Sequence, residues 1–102
     1  MTINVRPFFY LDIAQEAAWL AEHANEQIAS RWAEALWTTI SNIEKFPLLG
    51  RLRPDLPFPG VRTWRVCGFE KWLVFYGVRE TTLVIYRVRH GSMNLMKLDI
   101  GS

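Results

Sequence analysis

Residues 83–91 read LVIYRVRHG, a β-strand pattern that begins apolar and becomes basic at its end. Two similar runs precede it at residues 61–67 and 71–78, each rich in β-branched and aromatic residues and each followed by a short turn. Three such runs in succession are typical of an antiparallel meander. We expect this meander to organise the fold, and its basic end to be the place where recognition or chemistry occurs.

Alternation of side chains gives the third run of the meander two different faces. We expect one face to be core and the other to end in cations. The predicted faces are Val84, Tyr86 and Val88 on one side, and Leu83, Ile85, Arg87 and Arg89 on the other.

Two helices are predicted before the meander. The first covers residues 10–23, and its residues Asp12 and Gln15 are spaced as in a capping box. The second begins at the N-cap Asn25 and ends before Pro47, with apolar residues recurring every three or four positions. The connection between them is short enough to make an antiparallel helical hairpin.

A short edge strand is predicted at residues 3–6. Ile3 and Val5 alternate with polar residues there, and Pro7 ends the run because proline lacks the N–H that a sheet ladder needs. The resulting order, βααβββ, predicts an α+β fold of two layers, with a helical hairpin packed on an antiparallel sheet. A chain of 102 residues can form one hydrophobic core, so we expect one domain over residues 1–102.

Composition argues against several classes of protein. The formal net charge of +2 is far from that of a dedicated nucleic-acid binder, so direct sequence-specific DNA binding by the chain alone is not expected. Cys67 is the only cysteine, which suits a reducing cytoplasm, and its place in a strand run favours burial. The sequence has no membrane-length apolar run, metal-ligand spacing or Gly-rich phosphate loop, so we expect no membrane span, metal or cofactor.

Basic residues from two strands are expected to meet on the face of the sheet that the helices leave uncovered. They are Arg62 and Arg65 in the first run, Arg87 and Arg89 in the third, and His90 directly after them. Arginine offers phosphate or carboxylate a planar fork of donors, and histidine can act as an acid or a base. The alternatives are a solvated strand face with arginine stems over apolar neighbours, and a histidine that only makes strand-end hydrogen bonds.

Four segments of the chain, in this order, resemble the RelE/ParE superfamily of bacterial type II toxins. They are FPLLGR at residues 46–51, VR at 61–62, WLVFY at 72–76 and YRVRHGS at 86–92. Their order and spacing make the resemblance specific, and it covers nearly the whole chain. The last segment is most similar to the ParE branch.

The resemblance implies a toxin that is held inactive by a cognate antitoxin, a small protein whose C-terminal segment wraps the apolar and basic surfaces of the toxin. We expect the antitoxin to contact the second helix around Leu36 and Trp37 as well as the sheet. Two activities are implied by the superfamily. ParE-like members are associated with poisoning of DNA gyrase, whereas RelE-like members cleave messenger RNA on the ribosome.

Departures from the RelE pattern favour the ParE branch. RelE-like nucleases typically carry arginines at two positions that are Leu73 and Met93 here. The loss of one such donor costs about 3–4 kcal/mol of transition-state stabilisation in oxyanion-type sites, so RNA cleavage is disfavoured. Residues 90–94 read HGSMN, ending in Asn94, where the ParE pattern often continues as His-Gly-x-Arg-Asp.

These patterns lead to three hypotheses. The first is a cytoplasmic ParE-like toxin that inhibits DNA gyrase through protein contacts, with no assigned catalytic residue. Its predicted target-binding residues are Arg62, Arg65, Arg87, Arg89 and His90. The second is a ribosome-dependent endoribonuclease, with His90 as the acid or base and Arg65 or Arg87 as the phosphate anchor. The third is an inactive protein of the toxin fold that still binds an antitoxin.

Overall fold

Five strands form one mixed sheet, and two helices pack against one of its faces. The computed structural model describes residues 1–92 and 94–101. Its elements are β1 Thr2–Val5, α1 Pro7–His23, α2 Glu26–Lys45, β2 Arg51–Leu52, β3 Arg62–Val66, β4 Phe69–Arg79, β5 Thr82–His90 and a 3-10 turn at Leu95–Lys97. The predicted α+β fold and its βααβββ order are confirmed, with the two-residue strand β2 as an addition.

The strands lie in the order β1-β5-β4-β3-β2 across the sheet. The predicted antiparallel meander is formed by β3, β4 and β5, and β2 pairs with β3 at one edge. At the other edge, β1 runs parallel to β5, from Thr2 opposite Thr82 to Val5 opposite Ile85. Since Pro7 then begins α1, the described part of the chain gives β5 no strand neighbour on that side beyond Ile85.

The helices begin where local chemistry favours a first turn. α1 starts at Pro7, earlier than predicted, because the fixed φ of proline suits that position. Asp12 therefore lies inside the helix, and the predicted capping box of Asp12 and Gln15 is wrong. The predicted N-cap of α2 is confirmed: the Asn25 side chain accepts a hydrogen bond from the Ile28 N–H at 2.8 Å.

The principal core lies between the helices and the sheet. Trp32, Leu36 and Ile43 of α2 are fully buried there, together with Val74 and Ile85 of the sheet. Each such side chain contributes about 1.5–3 kcal/mol relative to an exposed one. The helical hairpin is therefore held on the sheet chiefly by apolar contact.

A second, smaller core covers the opposite face of the sheet. Phe75, Val84 and Tyr86 pack there with Leu56 from the loop before β3 and with Leu98, which follows the 3-10 turn. The expectation that this face is uncovered is wrong, because both of those segments fold over it. Little of the face is left for a broad basic surface.

A bulge in β5 changes the predicted faces of the third meander strand. Phe75 of β4 pairs with Arg87. The next residue, Tyr76, pairs with Ile85, so Tyr86 is an extra residue on β5. An extra residue reverses the alternation of faces beyond it.

The reversal moves Val88 into the principal core. The observed faces are Leu83, Ile85 and Val88 towards the helices, and Val84 and Tyr86 towards the second core. The predicted grouping of Val88 with Val84 and Tyr86 is therefore wrong. Arg87 and Arg89 flank Val88 on β5, so their side chains project from the face opposite to that of Leu83 and Ile85. The predicted grouping of these two arginines with Leu83 and Ile85 is therefore wrong as well.

The Tyr76 hydroxyl fixes the turn that follows α2. It accepts a hydrogen bond from the Gly50 N–H at 2.7 Å and donates one to the Pro47 carbonyl at 2.8 Å. Burial raises the pKa of Tyr76. A Cβ atom on Gly50 would lie only 2.6 Å from the same hydroxyl, so the turn needs glycine at this position.

Replacing Tyr76 by Phe is expected to lower the free energy of unfolding by about 1–3 kcal/mol, because the Gly50 N–H and the Pro47 carbonyl lose their partner. Denaturant unfolding measures the change. Tyr10→Phe is the matched control, since the Tyr10 side chain is exposed and its variant should unfold like the wild type. Equal stability of the two variants would contradict the role of the hydroxyl.

Cys67 lies in the turn between β3 and β4 and is exposed, so its expected burial is wrong. The strand ends one residue earlier, at Val66, and the backbone N–H of Cys67 donates to the Thr39 hydroxyl at 2.9 Å.

Within residues 1–92 and 94–101, no helix has the length and apolar character needed to cross a membrane.

Candidate functional site

A buried carboxylate joins α1 to the basic end of β5. Asp12 is only 2% exposed, and its two oxygens accept hydrogen bonds from Nε and Nη2 of Arg87 at 2.6 and 2.7 Å. The same carboxylate also accepts from Nη1 of Arg89 at 3.3 Å and from the backbone N–H of Val88 at 3.1 Å. We call these four residues the Asp12 cluster. Bidentate pairing of arginine with carboxylate is among the strongest hydrogen-bonded arrangements in proteins.

The Asp12 cluster completes the edge of the sheet. Because β1 pairs with β5 only as far as Ile85, the Val88 N–H has no strand to bond and donates to the Asp12 carboxylate instead. α1 places Asp12 there because the helix begins directly after β1. The carboxylate thus satisfies a backbone donor as well as two side chains.

The Arg87 guanidinium has further contacts besides Asp12. Its guanidinium carbon lies 5.1 Å from the centre of the Phe8 ring, and Nη1 donates to the Asp99 carbonyl as well. The side chains of Arg87 and Arg89 are each only 12% exposed. Both arginines therefore direct their charge into the protein in this structure.

A cleft of about 280 Å³ opens beside the Asp12 cluster, and we call it the Glu16 cleft. It is lined by Glu16, Trp19, Trp72, Arg89, His90 and Ser92. Trp72 and His90 lie opposite each other on β4 and β5, and their rings meet edge to face with centroids 4.8 Å apart. The cleft therefore combines aromatic walls with charged and polar groups.

The His90 ring is fixed in the wall of the Glu16 cleft. Its Nδ1 accepts a hydrogen bond from the Ser92 N–H at 3.1 Å and lies 2.7 Å from the Ser92 hydroxyl. Because a backbone N–H can only donate, Nδ1 is the acceptor and the proton of the neutral ring is on Nε2. This is the strand-end hydrogen bonding that was one of the two expectations for His90.

The other two predicted basic residues lie elsewhere. Arg62 donates from Nη1 to the Gly50 carbonyl at 2.8 Å, near the turn that Tyr76 fixes. Arg65 is exposed, with its guanidinium carbon 4.8 Å from the centre of the Trp64 ring. The structure thus brings Arg87, Arg89 and His90 together but not Arg62 or Arg65.

The row of residues across the sheet shows how far apart these cations are. Arg65 on β3 pairs with Leu73 on β4, and Leu73 pairs with Arg89 on β5. Two strand spacings, about 10 Å, therefore separate Arg65 from Arg89.

The sequence departs from the expected toxin patterns at Leu73, Met93 and Asn94. Leu73 packs against the second core, and Asn94 is exposed before the 3-10 turn. Met93 lies outside the described residues.

A groove of about 350 Å³ lies between the end of α2 and β3, and we call it the α2–β3 groove. Its apolar wall includes Phe46, Leu49 and Trp64. Since β2 pairs only with Arg62 and Thr63, the outer edge of β3 has no strand neighbour beyond them among the residues described. An open strand edge beside an apolar groove is a surface on which an extended peptide can dock.

Leu36 and Trp37, the residues expected to contact an antitoxin, face opposite environments. Leu36 is fully buried in the principal core, so the free toxin does not expose it, and its contact with an antitoxin stays a prediction. One position along a helix turns the side chain by about 100°, which brings Trp37 to the outside. Trp37 is 40% exposed and packs edge to face on Phe9.

Asp12 and Glu16 were not recognised as functional candidates from the sequence. Both lie on the buried side of α1, between Phe9 and Leu20, and both are buried in the structure. The sequence signal that could have identified them is a pair of carboxylates four residues apart on an otherwise apolar side of a helix.

Within the described part of the chain, no three potential metal ligands come together.

The architecture defines the class of protein, a small α+β protein with a helical hairpin on a βααβββ sheet. The same fold occurs in a chain of a solved structure described as the chromosomal ParDE TA system from P. aeruginosa, with a TM-score of 0.72 and 16% sequence identity. The similarity covers 88% of this chain and 95% of that chain. No curated protein sequence matches this chain significantly.

The chain belongs to the ParE toxin family. The model of that family, described as ParE toxin of type II toxin-antitoxin system, parDE, matches residues 6–95. The resemblance to the ParE branch, seen in four segments of the sequence, is therefore confirmed. The protein is a toxin of the ParE family, and that membership implies a cognate antitoxin as its partner.

Proposed function

We propose that the protein is a cytoplasmic toxin that inhibits DNA gyrase through protein contacts and is neutralised by its cognate antitoxin. The observation that carries the proposal is the match to the ParE toxin family over residues 6–95. The Asp12 cluster supports it, because the arginines that would anchor a phosphate are bonded inside the protein instead.

Nuclease chemistry fits the geometry less well. A cleaving site needs donors directed at the scissile phosphate, where negative charge develops. Arg87 gives its fork to Asp12, and Leu73 supplies no charge at the position where nucleases of the superfamily carry arginine. For an endoribonuclease, His90 as the acid or base and the exposed Arg65 as the phosphate anchor would remain as candidates. The middle strand of the meander separates these two residues.

Among the five predicted target-binding residues, Arg65 is the best placed to meet a partner. It is exposed, whereas Arg62, Arg87, Arg89 and His90 are partly buried and hydrogen-bonded. We therefore assign Arg65 the leading role in target contact, with the other four as supporting residues. An exposed cation of this kind chiefly affects the rate and orientation of association.

The antitoxin is proposed to lie across α2 and the open edge of β3. Trp37 lies on the outside of α2, and Phe46 and Leu49 line the α2–β3 groove. Exposed aromatic residues are the usual anchors of protein interfaces. An extended antitoxin segment in the groove could also bond the unpaired edge of β3, adding a strand to the sheet.

Expression of the chain alone is expected to stop growth, and co-expression with the antitoxin encoded beside it should restore growth. Mapping the 5′ ends of messages in the arrested cells distinguishes the hypotheses. Gyrase inhibition predicts no new cleavage ends, whereas a ribosome-dependent nuclease predicts new ends that disappear with His90→Ala. Normal growth without the antitoxin would contradict toxicity and favour an inactive antitoxin-binding protein.

A further inference from the structure

Glu16 is a buried carboxylate without a partner in the described part of the chain. The residue is only 8% exposed, and its side chain makes no hydrogen bond or salt bridge to residues 1–92 or 94–101. The Glu16 oxygens are not among the fully buried side-chain atoms that lack a partner, so they reach the cleft, where a donor that enters can bond them. The carboxylate lines the Glu16 cleft, which is open to solvent.

Two of the other polar residues of the Glu16 cleft are already engaged, whereas the buried Nε1–H of Trp72 has no hydrogen-bond partner among the described residues. Arg89 bonds to Asp12, and Nδ1 of His90 accepts from Ser92. The cleft therefore offers one charged acceptor, the Glu16 carboxylate, beside neutral ring N–H donors. This arrangement suits a cationic ligand and not an anion such as phosphate.

The exposed indole ring of Trp19 favours a flat cation in the same cleft. Trp19 is 48% exposed, and His23 stacks on one of its faces with centroids 4.4 Å apart, so the remaining indole surface is available to the cleft. The buried Trp72 ring closes another side of the cleft and meets the Trp19 ring edge to face, with centroids 6.4 Å apart. A guanidinium group can stack on indole and bond a carboxylate with its planar fork, which an ammonium group does less well.

The Glu16 cleft is continuous with the proposed antitoxin surface. Glu70, at the start of β4, borders both the α2–β3 groove and a second depression, which His90 and Ser92 share with the Glu16 cleft. An extended chain that leaves the groove and passes the turn between β3 and β4 therefore enters the cleft. This route favours the antitoxin as the source of the cation.

We propose that the Glu16 cleft binds the guanidinium group of an antitoxin arginine, held by the Glu16 carboxylate and stacked on the exposed indole of Trp19. The proposal rests on the antitoxin-bound toxin described under the proposed function. It adds a specific, charge-selective anchor to an otherwise apolar interface.

The first test uses the toxin alone with N-acetyl-arginine amide as the probe, and N-acetyl-citrulline amide as a neutral probe of nearly the same shape. The indole N–H resonances of Trp19 and Trp72 are followed by NMR. The arginine probe should shift them saturably, and Glu16→Gln should weaken its binding roughly tenfold or more. An equal response to citrulline, no response, or unchanged binding to Glu16→Gln would overturn the proposal, as would preferential binding of inorganic phosphate.

The second test uses the toxin with its antitoxin, whose arginines are replaced singly by glutamine. One of these changes should weaken binding to the wild-type toxin roughly tenfold but leave binding to Glu16→Gln unaffected. Glu22→Gln, an exposed change on the same helix, is the control. If Glu16→Gln does not fold, Trp19→Leu replaces it and should weaken binding as well. Equal affinity of wild type and variant overturns only this inference, whereas an antitoxin that does not bind at all overturns the proposed function too.

Discussion

Asp12→Asn is expected to lower the free energy of unfolding by about 3–5 kcal/mol, which is the usual effect of removing one partner from a buried ion pair. The amide cannot replace the carboxylate, because its NH₂ group would face the donors of Arg87 and Arg89. The Val88 N–H also loses a charged acceptor. A domain of this size is stable by only about 5–15 kcal/mol, so the variant should be close to unfolding at elevated temperature.

Denaturant unfolding of Asp12→Asn and of the control Glu22→Gln measures this effect. Glu22 is exposed on the same helix, so its variant should differ from the wild type by no more than about 0.5 kcal/mol. Adding Arg87→Met to Asp12→Asn should recover part of the loss, since one buried cation without a counter-ion is removed. Two single variants of equal stability would contradict the structural role of the Asp12 cluster.

Trp37→Ala and Phe46→Ala are each expected to weaken antitoxin binding roughly 30-fold or more, because large aromatic anchors dominate interface energies. Both side chains are substantially exposed in the toxin, at 40% and 66%. The substitutions should therefore change the affinity for the antitoxin more than the stability of the free toxin. Calorimetric titration of the antitoxin into each variant measures the change. Phe46 is the sharper probe because Trp37 also packs on Phe9.

Gln27→Ala is the control for the antitoxin prediction, because Gln27 is exposed at the other end of α2. Its affinity for the antitoxin should match that of the wild type. A complex in which Trp37 and Phe46 keep their full exposure, with affinity unchanged in both alanine variants, would contradict the proposed interface.

The fold was predictable because the helices and the meander are specified by local patterns. The N-cap Asn25 and the run at residues 83–91 both act over a few residues, and both are confirmed. Strand β2 was missed because two residues, Arg51 and Leu52, carry no periodicity. The bulge at Tyr86 was missed because it depends on the register of β5 against β4. That register cannot be predicted from the residue pattern of one strand.

The candidate site was less predictable because it depends on contacts between residues far apart in the chain. The basic residues Arg87 and Arg89 were recognised, but their partner Asp12 lies 75 residues before Arg87 on another element. The sequence therefore suggested open cations, whereas the fold supplies a buried anion for them. The sequence pattern also predicted an antitoxin contact around both Leu36 and Trp37, and a turn of about 100° per residue leaves only Trp37 exposed in the free toxin.

A supercoiling assay with purified gyrase tests the central claim most directly. Relaxed plasmid, ATP and gyrase are incubated with the toxin alone, and with the toxin bound beforehand to its antitoxin. The proposed function predicts that the toxin blocks supercoiling, that the antitoxin restores it, and that Arg65→Glu weakens the block. Normal supercoiling at a large excess of folded wild-type toxin would contradict the account.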